Sequence, residues 1–456
     1  MPTINFAGLA SGIDTNGLID ATSAAARATR VDPYSKKVSE LEETNSALQE
    51  LSDKFDELKT TLSQFSTVAG GGVSKLVTSS KENVVTATAT NAASNGSYTV
   101  SVASIAKNGT YSFGGTTSPS GTGYSTTAED VINGPWSFTI GTESVTVTNS
   151  TRSVASWVSE FNVQSSTAEA SIVNVGTDTQ PSYRVVISSI YEGTAKGAIT
   201  YTGGTSPTNV LVDAATDAVF SINGISGTIT RSTNSVSDVI PGVTLGLVAV
   251  GTSAVLKVSE DAATTSSKIS DFVDQFNSII KFVTDNNTIS RQETGTSVTN
   301  VFAPLASARV DDSGLSALKS AFSSTTASSG SAVRIFADLG ITTQRDGTLL
   351  FDSVKFNGAI SKEPSSVSLL LQQFADTASL TGGTIDLYTR FNGMFDTTMN
   401  GNKTQITSLN QQISDAEKAI ERQADEMRAR FARLESTMGK LQQQQQSLSS
   451  ALAGLR

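Results

Sequence analysis

The sequence contains neither cysteine nor histidine in 456 residues. The absence of cysteine excludes disulfides and thiol nucleophiles, and the absence of both residues excludes structural zinc sites of the usual kind and imidazole acid–base catalysis. Charged residues make up only 16% of the chain, and the formal net charge is −10. Because neutralising nucleic-acid phosphates needs clustered Lys and Arg, this balance argues against a general nucleic-acid binder.

Long hydrophobic runs are also missing. The most apolar stretch, residues 245–256, contains Gly, Thr and Ser and is far shorter than the ~20 residues of a transmembrane helix. The first residues carry no basic segment, and Asp14 interrupts them before an apolar run forms, so no secretory signal peptide is predicted. If the chain leaves the cell, it uses another route.

Two stretches near the ends of the sequence carry apolar residues at alternating spacings of three and four, which places them on one side of a helix. We predict a coiled coil between residues 34–66 and residues 405–455. The first apolar seam is Leu48, Leu51, Phe55, Leu58, Leu62 and Phe65. The second apolar seam is Ile406, Leu409, Ile413, Ile420, Met427, Phe431, Leu434, Met438, Leu441, Leu448 and Leu452, with a four-residue stutter at Ala424.

Neither seam is expected to remain in water, and the simplest partner for each helix is the other one. The first helix would then form one half of a stalk, the middle of the chain would form a head, and the last helix would form the other half of the stalk. An ordinary helical bundle is the alternative. A helix of about 45 residues would be ~68 Å long at 1.5 Å per residue, which favours the stalk.

Short runs of alternating apolar and polar residues, separated by Gly, Asn and Asp, indicate β-strands in much of the remaining chain. Residues 84–90 and 98–102 flank Asn95-Gly96 and predict a hairpin. The segments 83–107 and 215–260 are similar in character, while 108–214 is acidic and rich in Gly and Ser. A second β domain inserted into the first is the natural interpretation.

The predicted fold class is therefore α+β and multidomain, with long terminal coiled-coil helices, a helical neck and two nested antiparallel β-rich head domains. The neck would hold helices near residues 269–283, 314–322, 365–374 and 385–399. We divide the chain into a flexible arm, a helical leg and neck, a β-rich head domain and an inserted outer head domain. Their residues are 1–33, 34–82 with 261–456, 83–107 with 215–260, and 108–214.

Motifs that carry chemistry are few. Ser316 and Lys319 have the spacing of some Ser/Lys hydrolases, which is expected by chance in a chain this rich in Ser. Asp311 and Asp312 could offer oxygen ligands to a metal, but they fit a helix cap better. The sequence has no phosphate-binding loop, dinucleotide fingerprint or EF-hand loop. We predict no enzyme activity, no metal site and no cofactor.

Three motifs, in order between the terminal helices, make this sequence resemble the filament-capping protein family of the bacterial flagellum. They lie in residues 6–15, 222–245 and 339–352. Taken singly, each Gly or Pro is explained by a turn, and the joint order carries the resemblance. The signature residues are Gly8, Ser11, Gly12, Asp14, Asn223, Gly224, Asp238, Pro241, Gly242, Asp346 and Gly347.

The resemblance implies a secreted structural protein, exported by the flagellar type III route, that forms a ring of five or six copies at the distal filament tip. There it would keep flagellin from leaking away and promote its folding and insertion, with the two seams contacting the filament end. Hook–filament junction proteins would be neighbours, and an export chaperone would cover residues 427–455. No nucleic acid or membrane insertion is expected.

Two alternatives stay open. A surface adhesin would use the head for a host or surface ligand, and the acidic segment 108–214 is the relevant feature. Another axial subunit of the hook or filament would also have helical ends, although the three internal motifs argue against it.

Overall fold

The computed structural model of the chain describes residues 14–128, 135–148, 153–204, 207–294, 297–327 and 331–453. The chain divides into two compact units. The helical unit comprises the described residues of 1–66, 268–356 and 372–456, and the β-rich unit comprises those of 67–267 and 357–371.

The last helix is by far the longest, with 60 residues and hence a length of ~90 Å at 1.5 Å per residue. Two 3₁₀ turns lie at Thr67–Ala69 and Phe336–Leu339. The α-helices of the described residues are α1 (Thr15–Arg30), α2 (Asp32–Ser63), α3 (Val154–Gln164), α4 (Thr194–Gly197), α5 (Ala262–Asn286), α6 (Val310–Ser324), α7 (Ser353–Lys362), α8 (Pro364–Ser379), α9 (Thr384–Thr389) and α10 (Met394–Ala453).

Every strand pairing in the described residues is antiparallel. The strands are β1 (Lys75–Ser79), β2 (Val85–Ala89), β3 (Gly96–Ser104), β4 (Thr110–Gly114), β5 (Trp136–Ile140), β6 (Glu143–Val147), β7 (Ala168–Asn174), β8 (Tyr183–Ser189), β9 (Ile199–Gly203), β10 (Leu211–Asp213), β11 (Ala218–Ile222), β12 (Ile229–Arg231), β13 (Ser235–Ile240), β14 (Val243–Leu247), β15 (Gly251–Glu260), β16 (Ile289–Thr294), β17 (Ser297–Phe302), β18 (Ile341–Thr343) and β19 (Leu349–Phe351).

Two sheets of the β-rich unit share one hydrophobic core. The first has the order β1-β15-β3-β11-β12 and the second has the order β13-β14-β2. Phe220, Leu245 and Leu256 are fully buried in this core. Both sheets therefore combine strands from residues 75–104 with strands from residues 218–260. The segment between them, residues 105–217, leaves these sheets and returns to them. The predicted fold class is confirmed, while the exact domain boundaries stay a prediction.

The predicted hairpin over residues 84–102 is wrong, although both of its strands exist. β2 pairs with β14, whereas β3 lies between β15 and β11 in the other sheet. Val85 and Val100 are both fully buried in the shared core. An isolated hairpin would leave one face of each strand in water, so placing the strands in two facing sheets buries more apolar surface.

The inserted segment builds its own core from two further sheets and one helix. The sheet orders are β10-β4-β8-β7 and β6-β5-β9, and α3 packs beside them. The Phe113 ring lies 5.0 Å from Trp136 and 5.2 Å from Trp157 between ring centroids, in edge-to-face geometry. Both tryptophans of the chain lie in this core, so their fluorescence reports on this part of the molecule.

Glu143 fixes the loop between α3 and β7. Its carboxylate accepts hydrogen bonds from the Ser166 N–H (3.0 Å) and hydroxyl (2.8 Å), from the Ser165 hydroxyl (3.0 Å) and from the Thr167 N–H (3.1 Å) and hydroxyl. Burial acts to raise the pKa of Glu143, but these hydrogen bonds outweigh it and lower the pKa to about 2.

Replacing Glu143 by Gln is expected to give a pH-dependent loss of stability. Because the folded pKa lies below the unfolded value near 4.5, the carboxylate stabilises the fold fully above that pH and loses this effect as the pH falls towards 2. The variant should therefore have a lower melting temperature than the wild type at pH 7. This difference in melting temperature should be smaller at pH 3. Tryptophan fluorescence measures both melts.

The exposed Glu169 offers a matched control for this experiment. Glu169→Gln removes the same charge without removing loop hydrogen bonds and should leave the melting temperature nearly unchanged. If Glu143→Gln lowered the melting temperature by the same amount at pH 7 and at pH 3, the ionised Glu143 carboxylate would not be the group that stabilises the loop.

The core of the helical unit is rich in phenylalanine. Phe272 of α5, Phe322 of α6, Phe336 and Phe374 of α8 are buried, and Phe322 stacks on Phe336 with 4.2 Å between centroids. Two antiparallel pairs, β16 with β17 and β18 with β19, complete the unit. These rings hold the shorter helices of the unit together.

Two helix predictions need correction. Residues 15–30, expected to be part of a flexible arm, form α1, which Asp14 caps by accepting a hydrogen bond from the Gly17 N–H (2.9 Å). The helix predicted over 385–399 is broken between α9 and α10. Asn392 at the break has a φ of 57°, a left-handed conformation that no α-helix contains.

Candidate functional site

Helix α10 runs antiparallel to α2 and then to α1, which follow one another along it. Phe55 meets Phe395 edge to face at 5.4 Å between centroids. Asn402 donates a hydrogen bond to Asn45 (2.8 Å), and Arg27 forms an ion pair with Glu417. Residues further along α10 therefore contact residues earlier in the chain, first in α2 and then in α1, as expected for antiparallel packing.

The first apolar seam is buried throughout. None of its six residues is more than 2% exposed: Leu48, Leu51, Phe55, Leu58, Leu62 and Phe65. Phe55 also contacts Tyr388 of α9, with 6.3 Å between centroids. Lys59, on the same helix, forms an ion pair with Asp386 at 2.8 Å. The seam is therefore shared between α9 and the start of α10, and belongs to a multi-helix core.

Asp386 receives both the Lys59 ammonium and the Gly382 N–H (2.8 Å). These hydrogen bonds lower the pKa of Asp386, and the one from Lys59 has the largest effect. The carboxylate is thereby kept ionised and holds α9 against α2.

The second apolar seam changes from buried to exposed along α10. Leu409 and Ile420 are 8% and 6% exposed. Leu434, Leu441 and Leu448 are 46%, 55% and 65% exposed. The members of intermediate exposure are Ile406, Ile413, Met427, Phe431 and Met438. Leu452 lies in α10 but outside the residues whose side chains are described.

The predicted pairing of residues 34–66 with residues 405–455 therefore has the wrong register. Contacts with α2 use the beginning of α10, as the Phe55–Phe395 and Asn45–Asn402 pairs show. Contacts with α1 follow near Glu417. The sequence pattern identified both seams, but periodicity alone cannot say which parts of two antiparallel helices lie opposite each other.

The final 23 residues of α10, from Phe431 to Ala453, form what we call the α10 tail. It is ~34 Å long at 1.5 Å per residue, and its residues Leu434, Leu441 and Leu448 face water in the described structure. A stripe of Leu at coiled-coil spacing in water is unfavourable and favours association with another helix. The tail is the strongest candidate contact surface of the helical unit.

The signature residues that the structure describes lie at separate turns, at a helix cap and in a strand, and they do not form a joint site. Gly8, Ser11 and Gly12 lie outside the described residues, and Asp14 caps α1. The φ angles of Gly224, Gly242 and Gly347 are 85°, 76° and 88°, a conformation that favours glycine. Asn223 and Gly224 follow β11, and Pro241-Gly242 joins β13 to β14.

Two signature aspartates stabilise local structure. Asp346 accepts hydrogen bonds from the Thr348 N–H (2.9 Å) and hydroxyl (2.6 Å) within the β18–β19 turn. Asp238 forms an ion pair with Arg231 at 2.8 Å, and the hydrogen bond from Arg231 lowers the pKa of Asp238. Asp346 therefore stabilises a turn, and Asp238 links β13 to β12 of the other sheet.

Sequence reasoning missed the packing of α1. Ile19 is 2% exposed, and Asp14 directly before a helix-forming segment was the available signal for a helix start. Within the described residues no group of three or more acidic residues could hold a metal ion. No helix in the described ranges has the length and apolarity to cross a membrane.

Comparison with known protein families gives two matches along the chain. Residues 11–109 match the model of the flagellar hook-associated protein 2 N-terminus, and residues 215–443 match that of its C-terminus. The chain belongs to the flagellar hook-associated protein 2 family. Residues 110–214, which contain the inserted sheets, lie in neither match.

Curated members of the hook-associated protein 2 family align with much of the chain. The B-type flagellar hook-associated protein 2 of Pseudomonas aeruginosa is 26% identical over 403 residues, which are 83% of this chain and 82% of the relative. The flagellar hook-associated protein 2 of Salmonella typhimurium is 25% identical over 235 residues, which are 50% of this chain and 49% of the relative.

A solved structure of the hook-associated protein 2 family supports the fold. The crystal structure of the D1-D2-D3 domains of the flagellar cap protein FliD from Escherichia coli superposes with a TM-score of 0.56 at 23% identity. The match covers 80% of this chain and 99% of that one. The family's C-terminal match ends at residue 443, so Leu448 of the α10 tail lies beyond it.

Proposed function

We propose that this chain caps the distal end of a bacterial flagellar filament, where it prevents flagellin leakage and promotes flagellin folding and insertion. Membership of the hook-associated protein 2 family is the observation that carries the proposal. The cap would be a ring of five or six copies outside the cell, reached by flagellar type III export.

The α10 tail supports this function physically. Leu434, Leu441 and Leu448 offer a long apolar face that could pack against helices at the open end of a filament. Burying even part of this face would favour attachment at about 25 cal/mol per Å² of apolar surface. Before export, a cytoplasmic chaperone would cover the same face at residues 427–455. Flagellin and the hook–filament junction proteins would be the other partners.

Labelling filaments with gold-coupled antibodies against this chain tests the location. Gold is expected at the distal tip of each filament and nowhere along its side. Label at the junction between hook and filament would favour another axial subunit and contradict capping. A strain without the gene is the control for antibody specificity.

A further inference from the structure

A cavity of about 540 Å³ in the helical unit lies beside the beginnings of α6 and α10 and the end of α9. Arg309, directly before α6, and Arg390, directly after α9, both line the cavity and are exposed. Neither guanidinium forms an ion pair with a described residue. No acidic side chain is among the described residues that line the cavity. In a chain with 42 acidic and 32 basic residues, this cavity is a local region of positive charge.

Three acidic residues near the arginines are engaged by other groups. Asp312 accepts hydrogen bonds from the side-chain amide of Asn287 (3.1 Å). Asp396 accepts one from a backbone N–H in the turn before α10 (2.9 Å). The charge of the second arginine reaches Asp386, but that carboxylate already accepts a hydrogen bond from Lys59 (2.8 Å). The cavity therefore offers its two guanidinium groups to an anion from outside the chain.

A second cavity, of about 490 Å³, adjoins the first along α10. Thr398 lines both cavities, Met394 lines the first, and Asn402 and Gln405 line the second. These four positions are spaced by three or four residues, so they share one face of α10. We call the two adjoining cavities the α10 groove. From residue 394 to residue 405 it is ~17 Å long at 1.5 Å per residue, which matches a helical segment of about three turns.

Large apolar side chains are exposed along the α10 groove. Leu387 and Met394, at the end with the arginines, are 41% and 48% exposed. Phe302, at the other end, is 59% exposed. Exposed apolar residues that line a concave surface are typical of binding sites. An occupant of this groove therefore needs apolar side chains as well as a negative charge.

The end of the α10 groove beside α2 carries the opposite charge. Glu40, Glu43 and Lys37 line it, which gives two negative charges against one positive charge. Lys37 is paired with Glu40 (3.2 Å), whereas Glu43 is exposed and forms no ion pair with a described residue. An acidic group placed at this end would be repelled. The charges thus favour one direction for an occupant that is acidic at one end.

The composition of the groove also restricts the kind of anion. Nucleic acids and anionic membrane surfaces need clustered Lys and Arg, and two arginines on a chain of net charge −10 do not supply a cluster. A small free anion would leave the apolar side chains of the groove in water. Guanidinium groups bind carboxylates through paired hydrogen bonds. A protein segment with carboxylates at one end and apolar side chains along one face fits all of these features.

We infer that the α10 groove binds such a segment of the flagellin subunit, with its carboxylates at Arg309 and Arg390 and its apolar side chains over Leu387, Met394 and Phe302. The inference rests on the proposed function for the identity of the partner. It adds the place and the direction of binding, in a part of the chain separate from the α10 tail.

Calorimetric titration of the purified full chain with purified flagellin monomers tests the inference. The natural chain should bind flagellin, and added salt should weaken binding because the contact includes ion pairs. The Arg309→Glu/Arg390→Glu chain should bind more than about tenfold more weakly, since like charges would then meet. Both arginines are exposed, so the variant should fold. Its melting temperature by circular dichroism at 222 nm checks this.

The matched control is Arg334→Glu/Lys403→Glu, which changes the net charge by the same amount. Both residues are exposed in the helical unit, and neither lines the groove. This variant should bind flagellin like the natural chain. Equal weakening in both variants would mean that overall charge, and not the groove, governs binding, and would overturn the inference.

Two further outcomes separate the groove from the proposed function. Undiminished flagellin binding by the Arg309→Glu/Arg390→Glu chain, or weaker self-association of that chain with flagellin binding unchanged, would overturn the assignment of the groove and leave capping intact. Loss of flagellin from cells that carry the natural chain would instead overturn the proposed function.

Discussion

Cells in which Leu434, Leu441 and Leu448 are all replaced by Asp are expected to lose flagellin to the medium as strongly as cells without the gene. These leucines are the exposed members of the second seam, at 46%, 55% and 65% exposure. Because they contribute little to the fold of the isolated chain, stability should change by less than about 0.5 kcal/mol per site. Attachment to the filament should fail, because each Asp would need to be buried as an unpaired charge.

Three polar residues on the opposite side of the tail provide the control. Ser436→Asp, Gln443→Asp and Ser450→Asp make the same change in charge two residues further on, ~200° around the helix. All three positions are exposed. This variant should retain flagellin. Equal leakage from both variants would mean that added charge, and not the apolar face, causes the loss.

The Phe55→Ala variant is expected to have a free energy of unfolding of the helical unit about 3–5 kcal/mol below that of the wild type. Phe55 is fully buried and contacts Phe395 and Tyr388. Removing its ring opens a cavity where α2, α9 and α10 meet. Urea unfolding followed by circular dichroism at 222 nm measures the change.

Phe391→Ala makes the same substitution at a side chain that is 87% exposed. This substitution should change the free energy of unfolding by no more than about 0.5 kcal/mol, as at other exposed positions. Similar losses for Phe55→Ala and Phe391→Ala would show that the core at the start of α10 is not packed as described.

Features governed by local chemistry could be predicted from the sequence. The three-four spacing from Leu48 to Phe65 identified a helix face that is buried. Asn223-Gly224 and Asp346-Gly347 identified turns in which each glycine adopts positive φ. In these cases the determining information lies within a few neighbouring residues.

Features governed by distant contacts could not be predicted in this way. β2 and β3 are neighbours in sequence but belong to different sheets, because their partners β14 and β15 come more than 140 residues later. The three-four spacing of apolar residues continues along α10 on both sides of Met427, yet only the part before Met427 is packed against α1 and α2. Which part is covered depends on where α1 and α2 begin.

The candidate site was located only partly by the sequence. Both seams were identified from their spacing, and their contact with a filament end remains a prediction. The break at Asn392 separates α9 from α10, and the Asn392-Gly393 dipeptide was the available sequence signal for it. The four segment boundaries proposed from composition likewise remain predictions.

The central claim is that this chain keeps newly exported flagellin on the filament. The most direct measurement is the partition of flagellin between filaments and medium in a strain without the gene, compared with the same strain carrying the natural gene. The account predicts monomeric flagellin in the medium and short or absent filaments without the gene, and restored filaments with it. Filaments of normal length in the strain without the gene, with no flagellin in the medium, would contradict it.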